Sequence, residues 1–389
     1  MNADLTRAQR LDASAHLALG TAAGLGAAFF AVLDTRLGAS PWLLAVIAGA
    51  PYVGSLLAPV WVSQGQRLGI RTLMVTSLVA SAITLALIGL AQGPGVFAFL
   101  TLLYFLLYSV DEPLYVALAE RIYPERTGSY LGRIEAIFNG SRAAAGLLAG
   151  WLFDHWGRLA TLLLAATTTV GAALLYVPLP MPASEKSRLV GPWRILREDR
   201  MVQRMSLFFM VSGTGMVMML PVLPIVEVRL ARLSNGEIGA LLAVNGAALL
   251  VASWALGALI ERHQHLLPAL RLSLAAIVGM AILYAFGRSF LVLLIANILC
   301  GVGGAGIAVV WRLIAIQFPA YRTDELAGLH LLSCGVRGLY APFLGVALFY
   351  LGSVVIPLLT AAALVALGGL LLLPGANDLD TLARQQAEG

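Results

Sequence analysis

Long stretches without Asp, Glu, Lys or Arg recur along the chain, at 13–33, 37–66, 72–110, 159–184, 205–226, 238–260, 289–311 and 338–377. Most exceed the roughly 20 residues an α-helix needs to cross the hydrocarbon of a bilayer. Two of them, 72–110 and 338–377, are long enough for a pair of crossings, and turn residues divide them at Gly93-Pro94-Gly95 and Leu351-Gly352-Ser353. The pattern predicts twelve helices, near 14–37, 41–63, 72–91, 96–120, 128–153, 158–178, 203–230, 236–260, 266–286, 289–317, 326–350 and 353–373. The fold class is an all-α membrane protein, since backbone in lipid must pair within its own segment.

Composition agrees. Of the 389 residues, 60% are hydrophobic and 12% charged, and mean hydropathy is +0.88; a soluble domain carries about 25% charge. The net charge of +5 does not make a nucleic-acid face, because the basic residues lie in the gaps between spans. With both termini in the cytoplasm, inner segments hold sixteen of the 25 Lys and Arg and outer segments five. The positive-inside rule therefore favours that orientation, in a cell inner membrane. The long polar connection "PMPASEKSRLVGPWRILREDRMVQR" carries six of the basic residues, with Trp193, Ile195 and Leu196 among them, and suits an anionic membrane surface. It separates residues 1–180 from 205–389, with 181–204 as a cytoplasmic linker and a short cytoplasmic tail at the end.

Several chemistries find no support. "MNADLTRAQRLDASA" is polar and runs straight into the first span, without the layout of a cleaved signal. Cys300 and Cys334 fall inside predicted helices, so a disulfide framework is not expected. No Walker motif appears, and "CGVGGAGIA" reads as close helix packing. Met205, Met210, Met216, Met218 and Met219 read as flexible apolar lining more than a copper path. His263 and His265 are too sparse for a metal site. No cofactor, metal or enzymatic activity is expected.

The chain resembles itself at a spacing near 195 residues. "VLDTRLGAS" (32–40) matches "IVEVRLARLS" (225–234). "RIYPERTGSYLGRIEAIFNGSRAAAGLLAGWLF" (121–153) matches "IQFPAYRTDELAGLHLLSCGVRGLYAPFLGVALF" (316–349), pairing Pro124 with Pro319, Arg142 with Arg337 and Gly150 with Gly345.

Against this apolar background a few charges stand out. Asp111 and Glu112 interrupt helix 4, where each costs roughly 2.5–3.5 kcal/mol in hydrocarbon. Tyr104, Tyr108, Asp111 and Tyr115 follow helical spacing and share one polar, aromatic face unsuited to lipid, with Pro113 a point of kinking. Glu135, Asn139, Arg142 and Gly146 share a face of helix 5, and His330, Cys334, Arg337 and Ala341 the matching face of helix 11. An arginine keeps its proton and requires an anion. Asp111 or Glu112 is the expected partner of Arg142, whereas Arg337 has only His330 as an ionisable neighbour on its own helix. Asp34 with Arg36, and Glu227 with Arg229, sit at helix ends and read as solvated interfacial charge.

Two halves of six helices joined by a basic loop resemble the major facilitator superfamily. Its G-x-x-x-D-R-x-G-R-R signature is matched after helix 2 by "VSQGQRLGIR", keeping Arg67, Gly69 and Arg71 but placing Gln66 at the acid and Val62 at the first glycine. After helix 8 "GALIER" keeps Gly257, Glu261 and Arg262. "GWLFDHWGR" (150–158) and "PVLPIVEVRL" (221–230) are also similar to family stretches, whereas "AGLLAG" (145–150) lacks the proline of the efflux antiporters' G-P-x-x-G-G.

The resemblance implies two pseudo-symmetric six-helix bundles and alternating access, with helices 1, 4, 7 and 10 around a cavity. It puts Asp111 toward water and substrate, and Arg142 and Arg337 facing each other at similar depth. Tyr104, Tyr108, Asp111, Tyr115, Asn139, Arg142 and Arg337 are then candidate substrate contacts. Asp111, Glu112, Glu135 and His330 are candidate proton carriers, the last two more suited to gate-closing salt bridges. The expected activity is secondary transport of a small organic solute, anionic or amphipathic, as a monomer coupled to protons, with Na⁺ left open. The alternatives are a proton-antiporting drug or metabolite exporter and a non-transporting assembly factor.

Overall fold

A computed structural model describes residues 3–111, 113–115, 127–179, 196–197, 200–263, 266–317 and 320–372. Helix dominates throughout, and each of the twelve expected segments has a helical counterpart. Among the described residues, eight helices are individually long and apolar enough to cross a membrane, or nine if one bent pair is taken as a single span.

The chain divides into two compact units. The first contains Met1–Arg188 together with Arg232–Ala243, and the second Leu189–Ala231 together with Val244–Gly389. In the first, α1 (Ala3–Leu25) gives way at Gly26 to a 3₁₀ turn (Ala27–Phe29) and then α2 (Phe30–Arg36). Helix α3 (Pro41–Leu56) starts on a proline, which lacks only a donor the first turn leaves unpaired. It meets α4 (Ala58–Leu68) at a bend of 52°. Gly69, at φ +88°, makes the left-handed step that a side chain would strain, and so turns the chain into α5 (Ile70–Leu90). Then come α6 (Pro94–Tyr108), α7 (Thr127–His155) and α8 (Gly157–Tyr176).

The predicted helix 4 is not one uniform rod. Helix α6 ends at Tyr108, the chain turns at Ser109–Val110, and Asp111 and Pro113–Tyr115 are helical again. The interruption lies just ahead of Pro113, whose ring excludes the carbonyl four residues back from regular helical pairing.

In the second unit, α9 (Arg200–Met219) leads to a π-helical stretch (Ile225–Leu230). Helix α10 (Asn235–His263) starts in the part of the chain belonging to the first unit and continues into the second. It is followed by α11 (Leu266–Phe286), α12 (Phe290–Gln317), α13 (Ala320–Phe349) and α14 (Val355–Leu372).

In lipid, helices associate through close packing rather than through the hydrophobic effect, so small residues mark the seams. Helix α1 packs along α7 and α8, and α9 along α13 and α14. A Cβ on Gly24 would strike the backbone carbonyl of Arg142, and one on Gly345 the backbone of Met218.

Candidate functional site

The first unit holds a polar cluster inside its apolar core. Asp12 and His16, four residues apart on α1, are both buried, and His16 Nδ1 lies 3.1 Å from Asp12 Oδ1. The same nitrogen is 3.0 Å from the Asp12 carbonyl. Tyr115 donates its hydroxyl to Asp12 Oδ2 at 2.9 Å, and Tyr130 of α7 donates to the same oxygen at 3.0 Å. The imidazole leans on Tyr115, centroids 4.4 Å apart, and meets the edge of Tyr176 of α8 at 6.3 Å. Asp111, also buried, acts through its charge on His16 and Tyr176.

The sequence pattern alone puts Asp12 in a polar leader and misses this cluster. One signal is present. Ala8, Asp12, Ala15 and Leu19 fall at i, i+4, i+7 and i+11, and all four are buried.

The predicted phenol face is split by the turn after Tyr108. Tyr115 belongs with Asp12. Tyr104 is fully buried, stacked on Tyr108 at 5.5 Å and edge-on to Phe30 at 5.3 Å. Arg142 acts electrostatically on Tyr104 and Tyr108, and no described carboxylate forms an ion pair with it. Glu135 and Asn139 lie half-buried on α7, and Glu112 is outside the described residues. Arg67 is exposed, and Arg71 donates to the Leu179 carbonyl at 2.6 Å. Gly257 lies in α10, while the side chains of Glu261 and Arg262 fall outside those described.

The helix-end acids are not solvated as expected. Asp34 is fully buried, and its oxygens have no hydrogen-bond partner among the described residues. Arg158 acts on it through its charge and donates to the Gly89 carbonyl at 3.2 Å and also to that of Ala91. In the second unit Glu227 accepts from Tyr284 at 2.6 Å, and Asn297 donates to the Tyr284 hydroxyl at 2.8 Å. The chain turns back just after Asp34, where the amide of Ala39 donates to the Asp34 carbonyl at 3.0 Å, whereas Glu227 is half-buried within the π-helical stretch.

Arg337 of α13 is the most enclosed cation described, 7% exposed. Its Nη1 donates to the Phe209 carbonyl of α9, its Nη2 contacts Cys334 Sγ at 2.8 Å, and its Nε has no partner among the described residues. Cys334 Sγ is 3.5 Å from His330 Nε2, so the predicted i, i+4, i+7 face exists as a continuous contact. Gly213 makes room for the guanidinium, since a Cβ there would overlap Nη1. Met205, Ser206, Phe209, His330 and Ser333 line a small cleft beside it.

Two units built of apolar helices, each holding buried charge that lipid would reject, make a multi-pass membrane protein. Residues 13–342 match the Major Facilitator Superfamily model, and the chain belongs to that family of multi-pass secondary transporters, which bind small-molecule substrates. No curated protein matches the sequence.

Among solved structures the chain is similar to a point mutant of the nucleoside transporter NupG, at TM-score 0.72 and 10% identity, covering 97% of this chain and 99% of that one. It is similar to the human organic anion transporter MFSD10 (TETRAN) at 0.69 and 15%, covering 96% and 100%. A POT family transporter solved with a thioalcohol-conjugated peptide gives 0.71 and 13%, covering 96% of each. Likeness at such identities shows the fold alone.

Proposed function

We propose that the protein transports a small organic solute bearing an anionic group, driven by protons, and that Arg337 receives the anion. The observation that carries this is the guanidinium itself. It is buried and held in place, it keeps one N–H unspent, and among the described residues no carboxylate pairs with it. A buried cation left without an anion is costly, and a carboxylate or phosphate on the solute removes that cost through the planar fork of donors. The cleft beside it is only large enough for about one water, so the solute would have to open space there as it binds. In the first unit Asp111 is proposed as the carboxylate of the proton path. The MFSD10 structure is that of an organic anion transporter, which agrees with this reading.

A thermal-shift panel of organic anions, each with a neutral analogue, on purified wild type and Arg337→Gln tests it. A ligand at 100 times its Kd stabilises by about 2.7 kcal/mol. Anions should raise the wild-type Tm, and the shift should disappear in the variant. Equal shifts from neutral analogues in both proteins would remove Arg337 from recognition, and silence across the panel would favour the non-transporting assembly factor.

A further inference from the structure

We infer that Asp12 and His16 form the proton-binding site of the first unit, with His16 Nε2 as the atom that takes the proton. The inference rests on the proton-driven reading above for its purpose, but not for its chemistry. Asp12 Oδ2 accepts from the hydroxyls of Tyr115 and Tyr130, while Oδ1 lies 3.1 Å from His16 Nδ1, an ion-pair distance that makes no hydrogen bond and leaves this oxygen without one among the described residues. Nδ1 faces the Asp12 carboxylate and the Asp12 carbonyl, both acceptors, so the neutral imidazole keeps its hydrogen there. Nε2 is then the nitrogen whose N–H bond forms and breaks.

Among the described residues, the titratable groups around the imidazole are Asp12 on its own helix, Asp111 and Tyr115 from the segment after α6 and Tyr176 from α8, with Tyr130 of α7 reaching it through Asp12. Tyr115 and Tyr130 tie α1 to two other parts of the bundle through one carboxylate oxygen. Protonation of His16 sets a cation against the buried carboxylates of Asp12 and Asp111. The strength with which Asp12 holds its tyrosines, and with them the seam between α1 and α7, depends on that one proton. Histidine changes charge within physiological pH without assistance. A proton taken from one aqueous phase and released to the other would thereby bias the packing of α1.

The test needs no solute. The chain has five histidines, and replacing His155, His263, His265 and His330 with Gln leaves a single ¹³C-labelled histidine resonance in lipid nanodiscs. That resonance should titrate once between pH 5 and 8, and Asp12→Asn should move its midpoint by about one unit or more, the scale of a close charge partner. Tyr284→Phe, in the other unit, should leave it in place. A resonance insensitive to pH over that range, or one unmoved by Asp12→Asn, overturns the site.

If the fourfold variant does not fold, wild type compared with His16→Gln gives the same readout by difference. Tm measured against pH separates a proton site from a structural staple. His16→Gln should flatten the profile, whereas a staple would lower Tm equally at every pH. A silent ligand panel with a titrating His16 would end the anion-transport reading and leave this site standing; the reverse pair of results would do the opposite.

Discussion

At the residue scale, the placement of Arg337 turns on one missing side chain. Gly213 on α9 lies directly beneath the guanidinium, and a methyl group there would occupy the space of Nη1. In a helix interior alanine is favoured over glycine by about 1 kcal/mol, so Gly213→Ala costs the helix nothing by itself. The obstructing atom belongs to the far end of a flexible side chain, which can move aside. Gly213→Ala should therefore leave Tm unchanged or slightly raised while weakening anion binding at least tenfold, about 1.4 kcal/mol. Titration calorimetry with the best anion from the panel reads this directly. Unaltered affinity would mean that the guanidinium is not held where the solute binds. The charge on Arg337 and its spacing from His330 and Cys334 were legible in the sequence, because an α-helix fixes which residues share a face. The role of Gly213 was not, since no one-dimensional pattern reports what a neighbouring helix brings against a glycine.

At the element scale, the two units carry the same device in different forms. Gly20 of α1 and Gly213 of α9 stand at the offset that matches Asp34 with Glu227, and each faces the partner helix, α7 or α13. Further along those seams Gly24 meets the Arg142 carbonyl and Gly345 the Met218 carbonyl. Backbone cannot step aside as a side chain can. Gly345→Leu should cost at least the roughly 1–3 kcal/mol of ordinary overpacking, and Tm in detergent should fall by several degrees, at about 2–4 °C per kcal/mol. A Tm within one degree of wild type would show that α9 and α13 are not in contact there.

The helices themselves were readable because charge-free length is what a bilayer demands. The break at Ser109–Val110 was harder to see, because the tyrosine spacing carries through it with helical periodicity. Asp12 was hidden by its neighbours: Arg7 and Arg10 make the leader look solvated, although Asp12 lies on its buried stripe. Asp34 misled in the opposite sense, since a helix-end position says nothing about which loop closes over it.

At the scale of the whole molecule, the family follows from length, repeat and motifs, whereas the solute does not, because a fold shared at 10–15% identity serves many substrates. On the proposed reading the buried charges divide the labour, with an arginine for the anion in the second unit and acids with a histidine for the proton in the first. A coupled carrier must not complete its cycle with solute alone, so removing the titrating charge should abolish concentration of the solute while leaving its exchange intact. Asp111→Asn imitates the permanently protonated acid. In proteoliposomes with a pH difference, this variant should lose uphill accumulation of the labelled anion identified by the panel, yet exchange it between equal compartments at near the wild-type rate. Asp111 and His16 are electrostatic neighbours in one cluster. Effects on a single proton path do not add, so Asp111→Asn combined with His16→Gln should be no more defective than either change alone. A double variant that loses exchange as well would show two separate functions. Uphill accumulation persisting in Asp111→Asn would move the carboxylate of the proton path to Glu135 or leave His16 and Asp12 to carry it without Asp111.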